Sequence, residues 1–204
     1  MIKVGVTGQA GFVGTHLSNH LELQPDVFER IPFEDSFFER EDQLRAFVKR
    51  CDVIVHLAAM NRHPDPRVIR DTNIRLVKQL IEVMEREGVT PHVLFSSSIQ
   101  EEKDNEYGKS KREGRALLEE WARRNGASFT GMVVPNVYGP FGRPNYNSFI
   151  ATFCYKLTHG EIPKVLQDGN VKLIHVGSLC NHVLGKIQEI KEGNRSMVEC
   201  DEVP

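Results

Sequence analysis

The chain has 204 residues, enough for one good hydrophobic core or slightly more. Its 40% hydrophobic and 26% charged content is that of a soluble globular protein, and a formal net charge of -2 argues against a nucleic-acid or membrane surface. No apolar run suits a membrane span, no signal peptide precedes the first strand, and Cys51, Cys154, Cys180 and Cys200 lack Cys-x-x-Cys spacing, so free thiols in a cytoplasmic setting are expected.

In chain order the pattern alternates strand and helix. Ile2 to Thr7 reads as a short buried strand, and Phe12 to Leu23 as a helix with Val13, Leu17 and Leu21 on one face. Between them stand Gly8, Gly11 and Gly14, spaced Gly-x-x-Gly-x-x-Gly. Gly8 suits the positive φ of a tight turn, Gly11 leaves room for a pyrophosphate, and Gly14 allows close helix–strand packing. The helix N-terminus offers N–H groups to phosphate. Asp26 to Ile31 is expected as the second strand. The residue at its end selects the cofactor, an acid for the ribose hydroxyl of NAD or an arginine for the 2′-phosphate of NADP. Glu29 and Arg30 are adjacent there, so a shift of one residue reverses the answer.

Pro32 to Arg40 reads as a loop, with Phe37 and Phe38 either an anchor or an exposed patch. A short helix over Glu41 to Arg50, a strand over Cys51 to Leu57, a polar loop over Asn61 to Arg67 and a long helix over Val68 to Gly88 follow. His92 to Phe95 is the next strand, then a helix over Tyr107 to Arg124 and a strand over Ser128 to Val134. Asn147 to Leu157 reads as helix, Val171 to Val176 as strand, and Val183 to Ile190 as part of a last helix. The alternation predicts an α/β fold: a Rossmann-like doubly wound parallel sheet with helices on both faces. Residues 1–140 form the expected dinucleotide-binding domain, and 141–204 a partial substrate-binding subdomain at the C-terminal end with a returning strand and helix.

Three side chains suggest chemistry. Tyr107 and Lys111 are four apart and share a helix face. A nearby ammonium favours the phenolate and is expected to lower the phenol from its usual ~10 toward a useful range, more so with a bound nicotinamide. Ser98 is read as closing a strand at the carboxyl edge, where open α/β sheets bind ligands. His16 and His20 share a metal-compatible spacing, but no third ligand or cysteine pair accompanies them, so a solvated face is read and no metal is expected. His56 is read either as shaping a nicotinamide-side loop or as packing, and Asn136 as a substrate contact or a turn residue.

Together the segments Thr7-Gly8 to Gly14, His56-Leu57-Ala58-Ala59, Asn73, Ser96-Ser97-Ser98, Tyr107 to Lys111 and Pro135-Asn136-Val137-Tyr138-Gly139-Pro140 resemble the extended short-chain dehydrogenase/reductases of the NAD-dependent epimerase/dehydratase type, which act on nucleotide-sugars. The stretches Phe95 to Gln100, Asp104-Asn105, Pro144 to Ser148 and Ile150 to Lys156 further resemble the reductase domain of CapF-type capsular polysaccharide enzymes. The resemblance implies NAD(P)-dependent reduction of the 4-keto group of a UDP-linked 2-acetamido-6-deoxy sugar, with NADP(H) favoured and NAD(H) possible. It implies Ser98, Tyr107 and Lys111 as the catalytic set. Cofactor contacts are expected from Thr7, Gly8, Ala10, Gly11, Phe12, Val13, Gly14, Glu29, Arg30, His56, Leu57, Ala58, Ala59, Asn73, Lys111 and Pro135, and substrate contacts from Asn136, Asn145 and Asn147.

A 4-epimerase shares the same catalytic set, and a non-catalytic dinucleotide sensor is the other reading; such sensors often lose the tyrosine or lysine, which this chain keeps. Dehydration is disfavoured because Ile99-Gln100, not an acidic pair, follow Ser98. The sequence departs from the resemblance at Gly177 and Ser178, where an acidic pair is usual, at Val133, where an arginine is common, and in stopping at Pro204 without a cupin domain. A homodimer is expected through the two long helices, whose Leu76, Leu80, Ile81, Val83, Met84, Leu117, Leu118 and Trp121 exceed one narrow stripe.

Overall fold

Ile2, Val4 and Val6 alternate with Lys3 and Gly5 in a strand that is buried at every position but Lys3. In the computed structural model, which describes residues 1–165, 168–191, 193 and 198–204, this strand (β1, Ile2–Thr7) leads into α1 (Phe12–Glu22) and β2 (Phe28–Ile31). There follow α2 (Glu41–Val48), β3 (Val53–His56), α3 (Pro66–Glu87), β4 (His92–Ser98), α4 (Glu106–Asn125), β5 (Phe129–Val134) and β6 (Asn136–Tyr138). The remainder is α5 (Phe149–Thr158), β7 (Leu173–His175), α6 (Val176–Lys191) and β8 (Val198–Glu202). Single 3-10 turns occupy Asp35–Glu39 and Ile99–Glu102.

The main sheet is parallel throughout, in the order β2-β1-β3-β4-β5-β8. The chain runs outward from β1 to β2, then returns past β1 to β3. The topological switch therefore lies between β1 and β3, where doubly wound sheets form a crevice at their carboxyl ends. Two cores flank the sheet. Phe33, Phe47, Leu80, Met84, Leu118 and Trp121 fill one side, beneath α2, α3 and α4. Leu17, Leu21, Cys180, Val183 and Ile187 fill the other, beneath α1 and α6. Cavity-forming changes here, such as Leu17→Ala, cost about 2–5 kcal/mol.

Several expected boundaries move. The serines belong to β4, which runs to Ser98 rather than ending at Phe95. α3 starts at Pro66, because the Asp65 carboxylate caps the Arg67 amide and proline suits the first turn. α6, expected to include Val183 to Ile190, runs over Val176–Lys191. The loop expected over Pro32 to Arg40 contains a 3-10 turn whose Phe38 is buried with Phe33, so these aromatics anchor the loop to the core. The short strands β6 and β7 pair only with each other, and β8 joins the main sheet against β5; neither β6 nor β8 was expected. From the expected second region, α6 packs in the core beside α1, and β8 pairs with β5.

α5 differs from the other helices: Ser148 caps it, yet none of its residues is buried. Among the described residues no helix is long and apolar enough to cross a membrane.

Candidate active site

The glycine turn between β1 and α1 is built by close backbone approach. Gly8 takes a φ of 71°, and the Gly11 amide bonds its carbonyl at 3.0 Å. A Cβ on Gly14 would stand 2.2 Å from that same carbonyl oxygen, so no other residue fits without moving the turn. A Cβ on Gly8 would meet the Ala58 nitrogen at 2.8 Å, which ties the turn to the loop after β3. α3, α4 and α5 are capped by Asp65, Asn105 and Ser148, whereas α1 follows Gly11 and, like α2, has no side-chain cap. Its first amides, those of Phe12, Val13 and Gly14, are available to an outside acceptor. The exposed turn residues Ala10 and Gly11 complete a cradle that fits the pyrophosphate of a dinucleotide.

The neighbouring strand ends are locked together. Thr7 and His56 face each other in the register of β1 and β3, and Thr7 Oγ1 shares a 2.7 Å hydrogen bond with His56 Nδ1. The same hydroxyl accepts from the Ala58 amide, while the Thr7 carbonyl accepts from Leu57. Burial first, and the Lys111 charge second, pull the His56 imidazole down to about 3, so it stays neutral. Its Nε2 is buried with no partner, and its ring stacks on Phe95 at 5.8 Å. Farther along, Asn73 holds Met60 through both its amide and its carbonyl, and donates to Ser110 Oγ at 3.0 Å. Asn73 thus fastens the loop that carries Leu57, Ala58 and Ala59 to α4.

α4 presents Tyr107 and Lys111 on one face. Lys111 is 3% exposed; its Nζ donates to the Ser96 carbonyl at 2.8 Å and lies 5.6 Å from the centre of the Tyr107 ring. Burial pulls the ammonium down to about 8, against the nearby Glu101 charge, which raises it. Burial likewise pushes the Tyr107 phenol up to about 12. The expected lowering of the phenol by the lysine is therefore corrected: desolvation of the phenolate moves the group upward. Ser98 ends β4, and its Oγ accepts from the Gln100 amide at 3.2 Å, capping the following 3-10 turn. α4 sits hard on that turn, since a Cβ on Gly108 would lie 2.0 Å from the Gln100 carbonyl oxygen.

Behind the turn lies a network that the sequence reading missed. Glu101 is buried and takes a bidentate pair from Arg115, with Arg115 Nη2 to Oε2 at 2.7 Å, and a hydrogen bond from Ser97. Burial opposes its ionisation, yet Arg115 and Ser97 hold the carboxyl below its ordinary range. Its pairing joins residues fourteen apart on different elements, and no local spacing signals it.

The remaining expected contacts divide. β2 ends at Ile31, so Glu29 and Arg30 both lie inside the strand and Pro32 follows it. Arg30 turns toward the glycine turn and donates to Gln9 Oε1 at 3.0 Å, while also pairing with Glu22. Among the described residues no such contact joins Glu29. Pro135 is buried between β5 and β6. Asn136 opens β6, and its side chain bonds the Lys172 carbonyl at 3.3 Å, so it is a strand residue rather than a turn. Asn145 has a φ of 54° and its amide bonds Thr152, and Asn147 accepts from Arg62 Nε at 2.9 Å. His16 is half-buried rather than solvated, and joins α1 to the Pro140 carbonyl at 3.0 Å.

Residues 4–198 match the NAD dependent epimerase/dehydratase family. The chain is 37% identical over 172 residues to a UDP-2-acetamido-2,6-beta-L-arabino-hexul-4-ose reductase of Pseudomonas aeruginosa, covering 84% of this chain and 45% of that protein. It superposes on the capsular polysaccharide assembling protein CapF of Staphylococcus aureus with a TM-score of 0.75 and 30% identity, over 100% of this chain and 53% of that one. A UDP-glucose 4-epimerase of Thermotoga maritima shares the fold with a TM-score of 0.83 at 21% identity, over 99% and 76% of the two chains. The chain spans about half the length of the curated relatives it matches.

Proposed function

The chain belongs to the NAD dependent epimerase/dehydratase family, and from that premise we propose that it reduces the 4-keto group of a UDP-linked 2-acetamido-6-deoxy sugar with NADPH. The observation that carries the reading is the buried Lys111 beside Tyr107, at the carboxyl edge that also holds the glycine cradle.

A nicotinamide dinucleotide, when bound, supplies the hydride that goes to carbon 4 of the sugar. Thr7, the glycine turn and the first amides of α1 hold its diphosphate, and His56 to Ala59 shape the adjoining wall. Tyr107 gives its phenolic proton to the sugar oxygen as that oxygen gains negative charge. A phenol near 12 is fully protonated at neutral pH, which suits an acid rather than a base. Lys111 then stabilises the tyrosinate and returns a proton to it, and Ser98 donates a hydrogen bond to the sugar oxygen. Dehydration would need a free carboxylate beside the sugar; Glu101, the first acid after Ser98, is consumed by Arg115.

NADPH is preferred over NADH because Arg30 reaches the glycine turn and carries the charge a 2′-phosphate needs. The chain acts as a homodimer through α3 and α4. Leu80, Met84, Leu118 and Trp121 are taken up by its own core, leaving half-buried Leu76 and Leu117 for that contact; a monomer mass by light scattering would overturn it. The function itself is tested by following NADPH oxidation with a UDP-linked 4-keto-6-deoxy sugar. Absence of sugar-dependent oxidation by the parent chain would overturn the reading.

A further inference from the structure

We propose that Arg62, Arg143 and Tyr146 form a clamp for the diphosphate of a nucleotide-sugar, a role that rests on the reading above. The observation is a convergence of positive charge without a counter-charge. Arg62 lies in the loop after β3 and Arg143 in the loop after β6, yet both guanidiniums stand over the Tyr146 ring, each with Cζ 5.1 Å from its centre. The two cations are therefore within twice that distance of each other. Most other arginines, among them Arg30, Arg45, Arg70 and Arg115, meet carboxylates, while Arg75 and Arg112 are taken up by the Gln79 amide and the Glu101 backbone carbonyl. Among the described residues Arg62 and Arg143 meet none. Arg62 bonds the neutral Asn147 amide oxygen at 2.9 Å, and the Arg143 guanidinium lies over the ring.

A cation over an aromatic face orients the guanidinium but leaves its charge intact. Two oriented forks with free N–H groups match the oxygens of a diphosphate, which arginine binds in bidentate fashion. The backbone around Arg143 is held in an unusual form. Phe141 and Asn145, which flank it, have positive φ of 64° and 54° and are the only non-glycine residues of that kind among those described. For a bulky Phe this is a strained conformation, of the sort that persists at ligand clamps.

The surroundings place the clamp at the cleft. Its first loop leaves β3 bonded to Thr7, and its Met60 is held by Asn73, which bonds Ser110 next to Lys111. Its second loop is tied to α1 through Pro140 and His16. The clamp thus bridges the phosphate-binding helix and the Tyr107 helix. The glycine turn accounts for the dinucleotide's diphosphate, which leaves the clamp for the sugar nucleotide's.

The test is calorimetric titration of UDP into the chain saturated with NADPH, with uridine in place of UDP as the control. The parent should bind UDP, more weakly as salt rises, and uridine at least about tenfold more weakly. Arg62→Met and Arg143→Met should each weaken UDP by about tenfold and leave both uridine and NADPH affinity unchanged. Tyr146→Phe, which keeps the ring, should bind UDP like the parent. UDP affinity in the Arg62→Met/Arg143→Met double variant within twofold of the parent would overturn the clamp, as would a parent that binds NADPH but not UDP. Parallel loss of NADPH binding would overturn it too, by assigning the arginines to the dinucleotide. Failure of the parent to oxidise NADPH with a 4-keto sugar, with UDP binding still arginine-dependent, overturns the reductase reading and leaves the clamp standing.

Discussion

Lys111 Nζ lies 5.6 Å from the centre of the Tyr107 ring and 5.0 Å from that of Phe95, held there by a 2.8 Å hydrogen bond to the Ser96 carbonyl. A charged amine in so enclosed a position is costly. Its retention beside the half-buried Tyr107 is the arrangement expected of a proton relay.

The first prediction concerns that relay. Tyr107→Phe should keep dinucleotide binding and lose turnover by about 100- to 10,000-fold, the range for a lost general acid. Single-turnover reduction by the variant at the parent rate would show that another group supplies the proton.

Burial of Lys111 also has a pH signature. Its folded value near 8 lies below its ordinary 10.5. Between those pH values the unfolded chain holds a proton that the folded chain has released, so stability rises with pH across that window. Below pH 8 both states hold it and the cost is constant, on the order of 3 kcal/mol. Cys51, Cys180 and Tyr107, raised by burial to about 12, about 11 and about 12, work in the opposite sense. They do so equally in parent and Lys111→Met. The stability of Lys111→Met relative to the parent, from urea melts, should therefore decline by about 3 kcal/mol from pH 8 to 10.5; a difference that stays flat excludes the buried ammonium.

Two glycines set the distances on which the site depends. Gly14→Val should push α1 off the turn, since its Cβ would sit 2.2 Å from the Gly8 carbonyl oxygen, and abolish dinucleotide binding. Gly108→Ala should instead separate α4 from the turn after Ser98, where the clearance is 2.0 Å. It should lower kcat more than it raises the cofactor Kd. Fluorescence titration and steady-state kinetics on the same preparations distinguish the two effects, and equal cofactor affinity in Gly14→Val would refute the cradle.

Arg30→Ala should weaken NADPH by about tenfold, a loss of roughly 1.4 kcal/mol, and leave NADH unchanged. Tighter binding of NADH than NADPH by the parent, at equal salt, would remove the assigned preference.

The legible parts of this molecule are those written in short-range spacing. The Ile-Val-Val strand, the three glycines and the helix after them sit together in sequence, so β1, the turn and α1 could be read directly. The four-residue step from Tyr107 to Lys111 was equally local. β8 could not be read this way. Its segment Val198–Glu202 carries three acidic residues, and it is a strand only because β5 offers an open edge. The Glu101–Arg115 pair depends on a 3-10 turn meeting a helix, and the cofactor-selecting position depended on where β2 stops. The phenol's upward shift was misread for a related reason: proximity of a lysine is visible in sequence, whereas the depth at which both groups are buried is not.

α5 has consequences for timing. A ten-residue helix with no buried side chain has little beyond its own backbone bonds and the Ser148 cap to hold it. β1, β3 and β4, enclosed on both faces, can open only at a cost near that of unfolding the whole chain. Amide exchange should therefore be fast across α5 and slow beneath the glycine turn, so the two ends of this chain should report opening on widely separated timescales.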